Sequence, residues 1–162
     1  MTTPRLVGTE ASFLFCSGGS QQAYQDNAPR ILGHFGRVDY LGDRPDQAAV
    51  YDLALLAAMY GMFDGTFTAI GLLSMLASPS ADDHAISSIA AGKLVPMLQA
   101  LVPALVVVAE QVEAGDTGAR GYSNSMMLEG VRNIVKACDE AHVDSRAAKH
   151  LASVFELVVR AG

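Results

Sequence analysis

The chain contains little of what several common classes of protein require. Charged residues make up only 17% of its 162 residues, and 11 basic residues stand against 17 acidic ones, for a net charge of −6. Nucleic-acid binding depends on clustered Lys and Arg side chains that neutralise phosphates, so this composition argues against a nucleic-acid partner. Cys16 and Cys138 stand alone, without CysXXCys or Cys/His spacing. We therefore expect two free thiols and no bound metal.

No signal for transport to or across a membrane is evident in the sequence either. The first residues carry one Arg and no apolar core of the signal-peptide type, which argues against secretion. The longest apolar run, 94–109, is interrupted by Gln99 and two prolines, and it is shorter than a bilayer span. We expect a cytoplasmic protein without a membrane partner, in which this run forms a buried or interface helix.

No dinucleotide-binding loop is present either. Such a loop needs GlyXGlyXXGly at a strand-to-helix turn, so that the backbone can approach the pyrophosphate. The nearest Gly-rich segment, 115–121, follows a helical pattern rather than a strand, which predicts an interhelical turn. Because the net charge is also acidic, we expect the chain by itself to bind no cofactor, NADPH included.

The patterns that are present predict a mainly α fold. Residues 12–16 and 37–41 have the apolar, Gly-bounded character of strands, and Ser20 can cap a helix between them that ends near Leu32. This predicts a small βαβ unit at the N-terminus. From Asp46 to about Ala77 there is no proline, and Ala, Leu and Met dominate, which predicts one helix about 45 Å long.

The remaining sequence predicts three further helices around this long one. A break at 78–84, with Ser80 as its cap, leads into a helix bent by its prolines. We expect a helical bundle built on the long helix, with a βαβ domain at 1–44 and a helical domain at 45–162. The three helices are predicted at 81–112, with bends near Pro96 and Pro103, at 123–141 and at 145–160.

Two polar residues, Asp52 and Tyr60, interrupt the long helix in its most apolar stretch, Ala48–Gly65. A carboxylate removed from water costs several kcal/mol unless it is paired or hydrogen-bonded, so a buried Asp has a role or a partner. Eight residues correspond to about 800° of helical rotation, which leaves the two side chains about 80° apart on one cleft. The alternative is structural: Asp52 held by an Arg or a hydroxyl, and Tyr60 as a core aromatic residue.

The same stretch resembles a known family. TyrAspLeuAlaLeuLeu followed by MetTyrGlyMetPheAspGly is similar to the start of the interdomain helix in NADPH-dependent imine reductases and reductive aminases. Looser similarity covers Leu6–Gly18, Gly36–Gly42 and Ser123–Val135. The resemblance implies the C-terminal helical half of such an enzyme, a βαβ remnant of its Rossmann domain, and an intertwined homodimer. Most of the NADPH-binding Rossmann domain is expected to be missing.

The resemblance also implies roles for individual residues. Asp52 would face the substrate amine and supply charge or a proton, which a desolvated Asp with a raised pKa does near neutral pH. Tyr60 would lie beside the substrate, with Asp64 near the same helix face. Met127 lies where the family often has a Gln that reaches the substrate, and a thioether there removes a hydrogen bond. The predicted catalytic residues are Asp52 and Tyr60, and the predicted substrate-binding residues are Asp64, Met59, Phe63, Met126 and Met127.

Three functional hypotheses follow from these observations. The first is a stand-alone enzyme that uses Asp52 and Tyr60, without NADPH, for a cyclisation or isomerisation of a small apolar or iminium-like biosynthetic intermediate. The start at Met1 ahead of the resemblance favours this hypothesis. The second is the substrate-binding half of an NADPH-dependent imine reductase that needs a Rossmann partner. The third is a non-catalytic dimerisation or ligand-binding module.

Overall fold

The computed structural model describes residues 6–76, 85–116 and 123–161. The chain forms two compact units, one up to Met62 and one from Phe63 onward. The predicted domain boundary between residues 44 and 45 stays a prediction. The helix break at 78–84 with its cap Ser80, most of the 115–121 turn and the chain start lie outside the described residues.

The first unit contains the predicted βαβ arrangement. Strand β1 (Phe13–Cys16) pairs in parallel with strand β2 (Arg37–Tyr40), with Phe13 opposite Arg37 and Cys16 opposite Tyr40. Helix α1 (Gln21–Leu32) connects them, and the Ser20 hydroxyl caps it by accepting a hydrogen bond from the Ala23 N–H at 3.1 Å. The structure therefore confirms the predicted βαβ unit. The unit could be predicted because its Gly and Ser signals act locally.

Helix α2 (Gln47–Ser74) confirms the predicted long helix. Its sequence lacks proline and is rich in good helix formers, and apolar residues occur on all its sides. None of its residues is buried, and large side chains such as Leu53, Met62 and Phe67 are exposed. Much of the apolar surface of α2 is therefore available for contact with another molecule.

The next helical segment is interrupted in two places. Helix α3 (Ile86–Ile89) continues through a π-helical turn (Ala90–Leu94) into α4 (Val95–Leu101), and α5 (Ala104–Glu113) follows after a break at Val102 and Pro103. Proline lacks an N–H group and its ring collides with the carbonyl four residues earlier, so the wider π turn accommodates Pro96. The helix is thus irregular just before Pro96 and at Pro103, the two prolines near which bends were predicted. The π turn itself was not predicted.

By length and composition alone, α2 and the segment Ile86–Glu113 would be sufficient to cross a membrane. Their most apolar windows have mean hydropathies of 1.4 and 1.8, and none of that length is buried. The expectation that the second segment is too short was wrong, because helix extends well beyond the apolar run 94–109. Helices that belong to the core of a soluble protein have the same composition, so the absence of a membrane partner stays a prediction.

Helices α6 (Asn124–Glu140) and α7 (Arg146–Ala161) pack on each other in the second unit. Leu128, Val131 and Cys138 are buried, and their spacing of three and seven residues places them on one face of α6. Ala148 of α7 is buried as well. This helix pair supports the loop between Ala141 and Ser145, which lines a cleft described below.

Candidate functional site

Asp52 and Tyr60 both lie on α2, in the first unit. Asp52 is half-buried, as is Met59, whereas Tyr60 is 62% exposed. This differs from the sequence-based picture of a carboxylate removed from water, because none of the residues of α2 is buried. If Asp52 works as a desolvated acid, another surface must exclude the water around it.

Phe63 and Asp64 follow on the part of α2 that belongs to the second unit. Phe63 stacks with Phe67, their ring centroids 6.3 Å apart, and Asp64 is exposed. The Thr68 hydroxyl donates to the Asp64 carbonyl at 3.2 Å, which leaves the Asp64 carboxylate uninvolved in that bond. The predicted role of Asp64 in substrate binding stays a prediction.

Asp64 lines a cleft of about 450 Å³ in the second unit. One wall belongs to α2, and the other is formed by the loop before α7 and the first turn of that helix. The cleft therefore contains carboxylate, guanidinium, hydroxyl and aromatic groups together. Its lining residues are Asp64, Phe67, Thr68, Val143, Asp144, Arg146 and Ala147.

An ion pair between Asp144 and Arg146 dominates the charge of this cleft. The Arg146 Nε donates to Asp144 Oδ2 at 2.8 Å, and the Arg146 backbone N–H donates to Asp144 Oδ1 at 3.0 Å. These hydrogen bonds lower the pKa of Asp144 to about 2. Asp144 and, less strongly, Asp64 raise the pKa of Arg146. Sequence inspection missed Arg146, although an Asp two residues before an Arg was a visible signal of a local pair.

Met126 and Met127 occupy the first turn of α6. The Ser123 hydroxyl accepts from the Met126 N–H at 3.2 Å, and the Ser123 carbonyl accepts from the Met127 N–H at 3.0 Å. Both Met side chains are exposed by roughly half, at 50% and 42%. They present two flexible apolar groups, suited to a substrate or to another chain.

A second groove of about 350 Å³ is almost entirely apolar. Lys93 supplies its one charged group, and the rest comes from α2 and the α3–α4 segment. Across the described residues, no group of three or more His, Cys, Asp or Glu side chains is arranged to hold a metal ion. The groove is lined by Ala69, Leu72, Leu73, Ile89, Lys93, Leu94 and Met97.

Comparison with known proteins identifies the family. Residues 44–162 match the family described as NADPH-dependent reductive aminase-like, C-terminal domain. The chain belongs to this family. The match includes α2 with Asp52 and Tyr60, and it extends through the cleft to α7.

Several members of the reductive aminase-like family are similar to the whole chain. The NADPH-dependent reductive aminase of Aspergillus oryzae is 33% identical over 165 aligned residues, which cover 100% of this chain and 53% of that protein. The reductive aminase of Aspergillus terreus, solved with NADPH4, cyclohexanone and allyl amine, has a TM-score of 0.86 at 31% identity. It is likewise covered to 53%. The chain thus spans about half the length of these relatives.

More distant imine reductases share the fold. The imine reductase of Streptomyces aurantiacus has a TM-score of 0.81 at 20% identity and is covered to 54% by the chain. Since identity is low, this similarity concerns the fold alone. The predicted resemblance to the reductive aminase-like family is confirmed by the family match and by the 33% identity to the Aspergillus oryzae enzyme. The aligned region covers the small βαβ unit as well as the helices.

Proposed function

We propose that this chain is the substrate-binding half of an NADPH-dependent reductive aminase or imine reductase, and that a Rossmann half supplies the cofactor. The observation that carries this proposal is the family match over 44–162. The 33% identity to a reductive aminase, over the full chain, supports it. Nothing in the comparisons supports a cofactor-independent cyclase or isomerase, or a non-catalytic module, so the second hypothesis replaces the first.

In the proposed reaction, the half-buried Asp52 is placed beside the nitrogen of the substrate. A carboxylate stabilises the positive charge of an iminium ion, and its protonated form can donate a proton to an imine. The Tyr60 hydroxyl provides a hydrogen bond at the same helix face. NADPH, when bound by the other half, supplies the hydride that reduces the iminium carbon.

The apolar side chains predicted to line the substrate site would bind the carbon skeleton of the substrate. Met59 and Phe63 lie on α2 within one turn of Tyr60, and Met126 and Met127 present exposed thioethers from α6. Met127 cannot donate a hydrogen bond, so we propose substrates that are mainly apolar around the reacting nitrogen. We further propose that the protein works in the cytoplasm as a homodimer.

A chimera tests this proposal. The half of the Aspergillus oryzae enzyme that the chain does not cover is joined in front of the whole chain, and NADPH oxidation is followed with cyclohexanone and allylamine. We expect turnover that requires the ketone, the amine and NADPH together. A chimera that folds and binds NADPH, but shows no oxidation above the amine-free control with these or other carbonyl–amine pairs, would overturn the proposal.

A further inference from the structure

The first turn of α2 is held by a residue from outside the helix. Ser17, directly after β1, donates from its hydroxyl to the Pro45 carbonyl at 3.1 Å and accepts from the Ala48 N–H at 3.0 Å. The amides of a first helical turn have no partner within the helix, so a side-chain acceptor must satisfy them. Ser17 therefore caps α2 across a separation of 31 residues.

The residue that would ordinarily cap this helix is engaged elsewhere. Asp46 directly precedes α2, and its carboxylate accepts two hydrogen bonds from the Arg44 guanidinium, at 3.1 and 2.6 Å. These bonds lower the pKa of Asp46, so the group is a carboxylate held by Arg44 rather than an acceptor directed at the helix. The long-range bond from Ser17 takes its place.

Neighbouring contacts leave Ser17 little freedom. Gly18 has φ +80°, and an added Cβ there would lie 3.3 Å from the Pro45 Cα. The Gly18 N–H donates to the Gly42 carbonyl at 3.0 Å. The positive φ and the short distance to Pro45 both favour glycine at position 18. The chain after β1 therefore lies in direct contact with the start of α2.

A second contact joins the same two elements. The Phe15 ring lies 5.8 Å from the Tyr51 ring, tilted by 54°. Phe15 belongs to β1 and Ser17 directly follows it, so the same end of the strand contacts α2 twice. On α2, Ala48 and Asp52 are four residues apart and share a face, and Tyr51 immediately precedes Asp52. Both contacts thus act within about one helical turn of Asp52.

We propose that Ser17 is a positioning residue, which fixes the rotation of the first turns of α2 and thereby directs the Asp52 carboxylate. The catalytic part of this inference rests on the proposed function; the structural part does not. Placement errors of about 1 Å at a reacting group can reduce rates by up to about 10²-fold, so a single lost hydrogen bond at this junction has a measurable effect.

Three variants test the proposal. Ser17→Ala removes the hydroxyl and Ser17→Thr retains it. Ser20→Ala removes a cap of the same kind from α1, whose hydroxyl accepts from Ala23 at 3.1 Å, and is the matched control. The first readout uses the full chain: amide hydrogen exchange at Ala48 and the carbon-13 carboxyl resonance of Asp52 at pH 7.

We expect Ser17→Ala to accelerate exchange at Ala48 and to move the Asp52 resonance, Ser17→Thr to restore both, and Ser20→Ala to change neither. In the active chimera, which contains the whole chain and therefore Ser17, Ser17→Ala should reduce kcat about tenfold with KM changed by less than about twofold. An unchanged Asp52 resonance in Ser17→Ala would overturn the inference, even where the chimera is inactive and the proposed function fails. An active chimera with unchanged kcat would overturn the inference alone.

Discussion

Asp52 combines apolar sequence neighbours with only partial burial in the single chain. If it faces the substrate amine, Asp52→Asn in the chimera should reduce turnover by roughly 10²-fold, the contribution expected of a positioned acid or base. Tyr60→Phe should cost less, because the aromatic ring remains. Both are measured as initial rates of NADPH oxidation with cyclohexanone and allylamine.

Asp43→Asn, at an exposed carboxylate in the same unit, is the control and should leave the rate intact. The structural alternative for Asp52 makes the opposite prediction. In that case Asp52→Asn lowers the melting temperature and leaves the rate nearly unchanged, because a polar partner is lost without affecting the chemistry.

Asp144 provides a pH-dependent prediction at the cleft. The Arg146 hydrogen bonds lower its pKa from 3.8 to about 2, so its carboxylate favours the folded state above pH 3.8 and loses that contribution as the pH falls towards 2. In a carbon-13 titration, Asp144 should titrate near pH 2 in the wild type and at a higher pH in Arg146→Ala, where the backbone N–H at position 146 still lowers the pKa of Asp144. Arg44→Ala is the control; it breaks a separate ion pair and should leave the Asp144 titration unchanged. Equal titrations in the wild type and Arg146→Ala would contradict the claim that the Arg146 side chain lowers the pKa of Asp144.

Among the helices, α2 is closely approached at one glycine. A Cβ added at Gly71 would lie 2.8 Å from Val143 Cγ1, and valine cannot turn this methyl group away cheaply. Gly71→Ala should therefore destabilise the chain by about 1–3 kcal/mol of overpacking, more than the gain of about 1 kcal/mol in helix propensity. Urea denaturation measures the difference.

Gly130→Ala on α6 is the matched control for this change. An added Cβ at Gly130 meets nothing within 4 Å, so the same substitution there should stabilise the chain by up to about 1 kcal/mol. Val143→Ala combined with Gly71→Ala should recover part of the loss by making room. Equal stability changes at Gly71 and Gly130 would show that the contact with Val143 is not rigid.

Elements with local signals could be predicted from the sequence. Ser20 marked the start of α1, the flanking glycines marked the strands, and the absence of proline marked α2. The π turn at Ala90–Leu94 could not be predicted, because AlaAlaGlyLysLeu has no feature that distinguishes it from an ordinary helix. Its cause, Pro96, was visible, but its geometric consequence was not.

The candidate site shows the same limit. Asp52 and Tyr60 could be selected because polar residues are unusual in such an apolar helix. The cleft at Asp64 and Arg146 could not, because those residues are far apart in sequence and meet only through the packing of α2 with the loop before α7. The burial of Asp52 was overestimated since apolar sequence neighbours indicate which surface can be covered, but not whether the same chain covers it.

At the scale of the whole molecule, cofactor binding by this chain alone is expected to be absent. The chain has a net charge of −6 and no phosphate-binding loop of the GlyXGlyXXGly type. Calorimetric titration of the isolated chain with NADPH should show no saturable binding at micromolar concentrations, whereas the chimera should bind. Saturable micromolar binding by the isolated chain would contradict the proposal that the Rossmann half binds the cofactor.

The uncovered helices predict that two copies of the chain associate. Helix α2 and the segment Ile86–Glu113 expose large apolar side chains over 28 residues each, more than a soluble monomer ordinarily leaves in water. Gly61, Gly65 and Ala69 form a row of small residues on α2, and an added Cβ at either glycine meets nothing within 4 Å. A second copy of α2 could approach closely along this row.

Light scattering at micromolar concentration should therefore give twice the chain mass of 17.0 kDa.

Gly65→Leu places a large side chain in the row and should shift the protein towards the monomer mass, because the two helices can no longer approach. Gly130→Ala is the control, and it should remain dimeric. In the single chain a Cβ added at Gly65 meets nothing within 4 Å, so we expect Gly65→Leu to act on association rather than on the folding of each monomer. A wild-type protein with the monomer mass at micromolar concentration would end the dimer proposal, and a Gly65→Leu variant that stays dimeric would place the interface elsewhere on the exposed helices.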